Sequence, residues 1–316
     1  MKKYFFIFLT FLLLSDLSSA QLAGSAGAFA RLGFGARGVS MGNSIIAVTT
    51  GEIVPYYNPA ITSFSESRFA SASFTLLSLD RSLNFLSYTQ SVKPTAGVSF
   101  GLINAGVSNI DGRTSDGIHT EDYSTYENQF FLSFSNKIHE RVSIGATAKL
   151  YHSKLFEKVS TTTVGFDIGA CITILENLKA GIVIQDIGSK YIWNTKDIYP
   201  DPYGTTTTNK FPNLRRMGLA LTLTQFNTLI SAEYENSSEG TNILRGGIEY
   251  NTVEYLSIRC GIDRIELYEE KTGAKPAFGF GVRKPMGNWV PTLNYAFVTE
   301  PFAPRSFHII SLTVNF

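Results

Sequence analysis

The chain has 316 residues, with 27 Lys and Arg against 26 Asp and Glu, two Cys, four His, 24 Phe and 15 Tyr. The even charge balance excludes a nucleic-acid binder that works by neutralising phosphates. Two Cys without a CxxC pair or a Cys/His cluster supply neither a disulfide scaffold nor structural zinc, and the aromatic content excludes disorder. Only 17% of residues are charged, against roughly 25% in soluble domains, so the placement of the apolar residues carries the information.

Lys2 and Lys3 precede the apolar run Tyr4–Leu14 and then Ser18-Ser19-Ala20. A basic start, a short apolar stretch and a small-x-small pattern predict a signal peptide over residues 1–20 and an exported chain. Removing Lys2, Lys3 and Asp16 takes the 27 basic and 26 acidic residues to 25 of each. Residues 21–66 follow as a Gly-, Ala- and Ser-rich segment without alternation. Its Gly33-Phe34-Gly35-Ala36-Arg37-Gly38 matches a dinucleotide-binding fingerprint, but no strand is predicted before it, so no cofactor is expected.

From residue 67 the dominant signal is a period of two. Val164, Phe166, Ile168, Ala170 and Ile172 share one face, opposite Gly165, Asp167, Gly169 and Cys171. The same alternation recurs in Met217–Leu223, Leu256–Asp263 and His308–Phe316. Strand side chains point alternately to two faces, so each segment has one apolar and one polar or small face. We count about fourteen such segments of roughly ten residues, the length of a tilted membrane-spanning strand. The second, near residues 82–91, is ambiguous because Leu83, Phe85, Leu86 and Tyr88 do not choose one face.

Connections after odd segments are mostly long, and those after even segments short, as in Leu175-Glu176 and Thr252-Val253. That segregation describes an outer-membrane barrel with long external loops and periplasmic turns. The predicted fold is therefore all-β: a transmembrane antiparallel β-barrel over residues 67–316 with the segment 21–66 packed inside, in the outer membrane of a Gram-negative-type bacterium. Opposite the apolar faces lie lumen-facing charges, including Glu127, Lys149, Asp167, Lys179 and Arg216. Glu233, Arg245, Glu249, Arg259 and Asp263 fall on three consecutive strands and are expected to form one network. Cys171 and Cys260 fall on opposite faces, which predicts two free thiols.

The stretch Ala30–Ala60 resembles the N-terminal signature of the PorV/PorQ family, itself similar to FadL-type transporters of hydrophobic compounds. The resemblance rests on Gly35-Ala36-Arg37, Met41-Gly42, Ala47-Val48 and Tyr56-Tyr57-Asn58-Pro59-Ala60. It departs in having Thr49-Thr50-Gly51-Glu52 where the family carries an acidic pair, and Ile61 where it has Gly. It implies a fourteen-stranded barrel with an inner N-terminal segment, in which Gly35, Ala36, Arg37, Met41, Gly42, Asn58, Pro59 and Ala60 serve structure. It also implies a non-enzymatic role in type IX secretion or surface assembly. The partners would then be outer-membrane lipid, secreted cargo proteins and other secretion-system components, with Tyr191, Trp193, Tyr199 and Tyr203 in the longest loop as contacts.

The alternative is a FadL-like transporter of hydrophobic small molecules, with an apolar pocket lined by Phe29, Phe34, Met41 and Phe131. Catalysis is not expected. Both GxSxG matches, around Ser40 and Ser99, lack the strand-turn-helix setting of a nucleophile elbow. Ser115, His119 and Asp122 share one loop, which rarely builds a triad.

Overall fold

The computed structural model describes residues 24–199, 202–267, 273–301, 303 and 305–316. The expected signal peptide lies outside the described residues. Alternation of apolar outward and polar inward side chains lets strands curl into a wall that leaves no sheet edge open. In chain order these are β1 (Phe69–Leu76), β2 (Arg81–Val92), β3 (Ala96–Arg113), β4 (His119–His139), β5 (Val142–Phe156), β6 (Val159–Leu175) and β7 (Leu178–Ile187). A hairpin of β8 (Lys190–Asn194) and β9 (Thr206–Lys210) stands outside the wall. The wall resumes with β10 (Leu214–Leu223), β11 (Thr228–Ser237), β12 (Asn242–Val253) and β13 (Leu256–Glu266). It ends with β14 (Lys275–Arg283), β15 (Val290–Val298) and β16 (Phe307–Asn315). Fourteen antiparallel strands form the closed barrel, in which β7 pairs with β10 and β16 returns to pair with β1.

The wall presents Phe100, Phe130, Leu132, Phe134, Ile168, Phe278 and Leu312 outward, all exposed. Such a continuous apolar surface belongs against lipid. The tight turns lie at the end where Phe316 N–H donates to Arg68 O and closes the base of the barrel. By the rule of short turns this is the periplasmic end.

Strands β3 to β6 run 15 to 21 residues, against 8 to 12 for the other wall strands. The connections expected as long loops after the third and fifth segments are therefore mostly strand. Their polar residues continue the ladder beyond the membrane, where alternation of hydrophobicity no longer marks them. The longest connection, 187–212, holds the β8–β9 hairpin. The ambiguity of the second segment has a direct cause. Leu86 and Tyr88 face outward, while Leu83 and Phe85 face inward and are buried against the inner segment.

Residues 28–65 lie inside the barrel and are almost wholly buried. They comprise a 3-10 turn at Ala28–Arg31, the five-residue helix α1 (Ala36–Ser40) and a 3-10 helix at Pro59–Phe64. Inward-facing glycines let the chain lie directly on the wall. A Cβ at Gly279 would sit 2.5 Å from Ser40 Cβ, at Gly247 2.4 Å from Met41 O, and at Gly181 2.5 Å from Ile46 O. At Gly145 it would meet Ala60 N at 2.7 Å and at Gly97 Thr62 O at 2.5 Å. The inner segment thus follows the wall from β14 back to β3 as a belt, touching backbone to backbone.

Candidate functional site in the barrel lumen

The residues of the N-terminal signature attach this belt. Gly35 has φ +74 at the start of α1, and the N–H of the buried Ala36 donates to Ser311 Oγ at 2.9 Å. Arg37 makes two hydrogen bonds to Glu249, both 2.8 Å, and donates to the carbonyls of Thr50 and Glu52, also at 2.8 Å. Met41 and Gly42 lie on the backbones of Gly247 and Gly261, and Gly42 has φ +63. Asn58 Nδ2 donates to Ile46 O and Ala170 O, while its Oδ1 accepts from Ala60 N and caps the 3-10 helix that Pro59 begins. Ser143 Oγ donates to Ala60 O at 2.9 Å.

The five charges expected to form one network form two. Arg245 bonds Asp263 at 2.5 Å, Glu235 at 2.9 Å and Glu233 at 3.3 Å; Arg216 bonds Glu233 and reaches Asn43 O at 3.1 Å. Arg259 instead bonds Glu249 at 2.6 Å and Asn294 at 2.8 Å, and Arg37 completes that second cluster. Register explains the split. Glu233 lies opposite Arg245 and Glu249 opposite Arg259. Arg245 and Glu249 stand four residues apart on β12, too far along a strand for the two pairs to merge. Glu235, absent from the expected set, has the same parity as Glu233 two residues on, which was the available signal.

A third cluster joins Lys149 to Asp167 at 2.7 Å and to Asp186 at 3.0 Å. Tyr151 OH donates to Asp186 at 2.6 Å. Asp186 has φ +61 where the β6–β7 register slips, which turns its side chain inward out of alternation. Parity could not have placed it there. Of the other expected lumen charges, Glu127 accepts from Tyr191 OH at 2.9 Å. Lys179 contacts Thr49 near the periplasmic rim.

Between these clusters the lumen is aromatic. Phe34 stacks on Phe85 at 5.3 Å and meets Tyr56 edge-on at 4.7 Å; Phe131 lies 5.6 Å from Tyr56. Toward the external end, Phe29, Tyr151, Phe211, Tyr191 and Trp193 form a second run of rings with contacts of 4.8 to 6.5 Å, and both runs belong to one buried apolar cluster. The apolar pocket expected around Phe29, Phe34, Met41 and Phe131 is occupied by these rings, while Met41 packs on the Gly247 and Gly261 backbones. The cavities beside the ion pairs hold only about 20 Å³ each, room for one water. A larger one, about 210 Å³, opens at the periplasmic rim. Tyr191 and Trp193, expected as partner contacts, instead roof the lumen, because their strand face turns inward; Tyr199 and Tyr203 are exposed.

The two cysteines are free, Cys171 buried inward and Cys260 exposed outward. Ser115 and His119 do not pair, whereas His119 Nδ1 lies 2.7 Å from Asp111 Oδ1.

No protein-family model matches the sequence, and no curated protein matches it. Solved structures do. The toluene transporter TodX of Pseudomonas putida superposes with a TM-score of 0.59 at 14% identity, covering 90% of this chain and 97% of that one. The monoaromatic hydrocarbon channel CymD gives 0.59 at 12% identity, covering 90% and 97%. A FadL homologue of Pseudomonas aeruginosa gives 0.56 at 11% identity, covering 88% and 97%. The chain has the fold of FadL-type outer-membrane barrels.

Proposed function

We propose that the protein is a non-enzymatic outer-membrane passage for hydrophobic small molecules, of the FadL type. The observation that carries this reading is the column of rings, one run beneath the β8–β9 roof and a second around Phe34, Tyr56, Phe85 and Phe131, joined in one buried apolar cluster. Among the described residues, three clusters of buried ion pairs and a tightly packed belt leave no broad aqueous pore for sugars or ions. An apolar molecule, by contrast, can exchange its water for ring contacts along the column. The fold likeness to channels named for toluene and monoaromatic hydrocarbons supports the same reading. The secretion role implied by residues 30–60 gains no support from these neighbours.

Uptake of radiolabelled toluene and of sucrose, in cells with and without the gene, tests the proposal. Faster toluene entry with unchanged sucrose entry is expected, and Phe85→Glu should remove the gain. Equal toluene entry in both strains refutes it. A loss of surface-attached proteins on deletion, with toluene entry unchanged, would favour the secretion role instead.

A further inference from the structure

The cavity of about 210 Å³ lies between the inner segment and the wall, next to the β6–β7 turn at Glu176 and Asn177. Its floor is apolar, formed by the buried Ala220 and Leu229, and Lys179 stands in its lining. The ammonium of Lys179 contacts Thr49 Oγ1 and lies 4.7 Å from the centre of the Phe64 ring. The ammonium of Lys137 lies 4.6 Å from the same ring. Among the described residues neither lysine forms an ion pair with a carboxylate. The three inward-facing ion-pair clusters described above instead join their cations to Asp or Glu.

Glu66 acts on Lys179 only from beyond ion-pair distance, and Glu176 lies in the same lining without pairing with it. A partly buried cation with no carboxylate in contact bears a desolvation cost that a ring face only partly offsets. Two such cations on one ring also repel each other. An anion entering the cavity would relieve both, and the space suffices: an apolar cavity of about 150 Å³ holds benzene. Thr49 and Thr222 place hydroxyls in the lining that can donate to an oxygen.

We propose that this cavity binds an oxyanion, with Lys179 as its principal ligand at the periplasmic mouth of the barrel. The oxyanion is the carboxylate of a small amphiphile or the phosphate of a phospholipid in the inner leaflet. The site is independent of the passage reading, since binding is measured without transport.

Calorimetric titration of the full chain in non-ionic detergent, with octanoate, octanol and inorganic phosphate, tests it. Octanoate should bind once per chain, and Lys179→Met should weaken it about tenfold or more, as expected for losing a charge-assisted contact. Octanol should bind less well and be indifferent to the substitution. Phosphate binding that Lys179→Met also weakens assigns the phospholipid head group; octanoate binding alone assigns the carboxylate. Ala220→Leu fills the cavity while leaving Lys179 in place, and should weaken the oxyanion equally, so the test survives if Lys179→Met fails to fold. Failure of both anions to bind overturns the proposal. Unchanged affinity in Lys179→Met, unchanged affinity in Ala220→Leu, or equal binding of octanol does so as well.

Discussion

Gly246 and Gly247 are neighbours on β12 that face opposite sides of the wall, so replacing each by alanine separates the belt contact from every other effect of losing a glycine. At Gly247 the new Cβ would lie 2.4 Å from Met41 O and 2.9 Å from Met41 C, where ordinary contact begins near 3.4 Å. The belt must therefore retreat by about 1 Å at a backbone carbonyl, a strain in the range of about 1–3 kcal/mol for overpacking. At Gly246 the nearest atom would be Ser231 O at 3.7 Å, an ordinary contact. Both substitutions restrict the unfolded chain alike, by about 0.4–1 kcal/mol, and that contribution cancels between them. The predicted difference corresponds to a roughly 5- to 150-fold larger population with the belt detached. Trypsin reads this population directly, because Arg37 is 4% exposed and can be cut only when the belt leaves the wall. Gly247→Ala should be cleaved at Arg37 faster by that factor, with Gly246→Ala close to the parent and both barrels showing heat-modifiable migration. Equal cleavage of the two variants would refute the backbone-to-backbone packing.

Three further outcomes follow from the same geometry. Arg37→Met leaves the buried Glu249 with Arg259 as its remaining ion-pair partner among the described residues and should lower stability by up to about 3 kcal/mol in urea unfolding, below the full cost of an uncompensated buried charge; the double variant with Glu249→Gln should recover part of that loss, and no recovery would deny the pairing. The Asp111 carboxylate holds the exposed His119 imidazole above its ordinary value of 6.5, at the tip of strands too long to lie wholly within the membrane. Whatever this pair contributes to the tip is present in full below the ordinary imidazole value and lost as pH rises through the raised one; an NMR titration should show the midpoint falling in Asp111→Asn. N-ethylmaleimide should label one thiol per folded chain in detergent, at Cys260, and two after denaturation, whereas prompt labelling of Cys171 would contradict its place inside the wall.

The barrel was legible because lipid on one side and a polar lumen on the other impose a period of two on every strand that crosses. Val164–Ile172 and Leu256–Asp263 state that rule residue by residue, and their faces in the structure are those read from parity. Legibility stopped where the rule stops. Above the membrane both faces of β3 to β6 meet water, so Ala105–Arg113 and His119–Ser124 lose their contrast and read as loop. Where the inner segment covers the wall, an inward position can be apolar, which is why Leu83 and Phe85 blurred β2. Parity also says nothing about position along a strand, so Glu233 to Asp263 read as one network although register divides them. A single bulge suffices to hide a residue, as the left-handed Asp186 shows. The inward glycines were visible as small residues on the polar face of β6, but only the belt gives them a reason.

The belt is not held evenly, and this bears on how a passage could open. Between β10 and β16 it is tied by charge: Arg37 to Glu249, Arg216 to Asn43 O, Asn43 to Asp263, and Ala36 N–H to Ser311. Each is buried, and breaking it leaves a desolvated charge or an orphaned polar group. At mid-height against β2 to β4 the contacts are instead rings, Phe34 and Tyr56 on Phe85 and Phe131, with Tyr56 OH to Gln129 Oε1 at 3.3 Å as the polar tie. Sliding one ring past another leaves no unpaired charge, and an apolar solute can replace the contact that is lost. The cost of displacement is therefore lowest where the lining is most apolar. An opening on that side would favour an apolar solute over a polar one through the same rings that close it at rest.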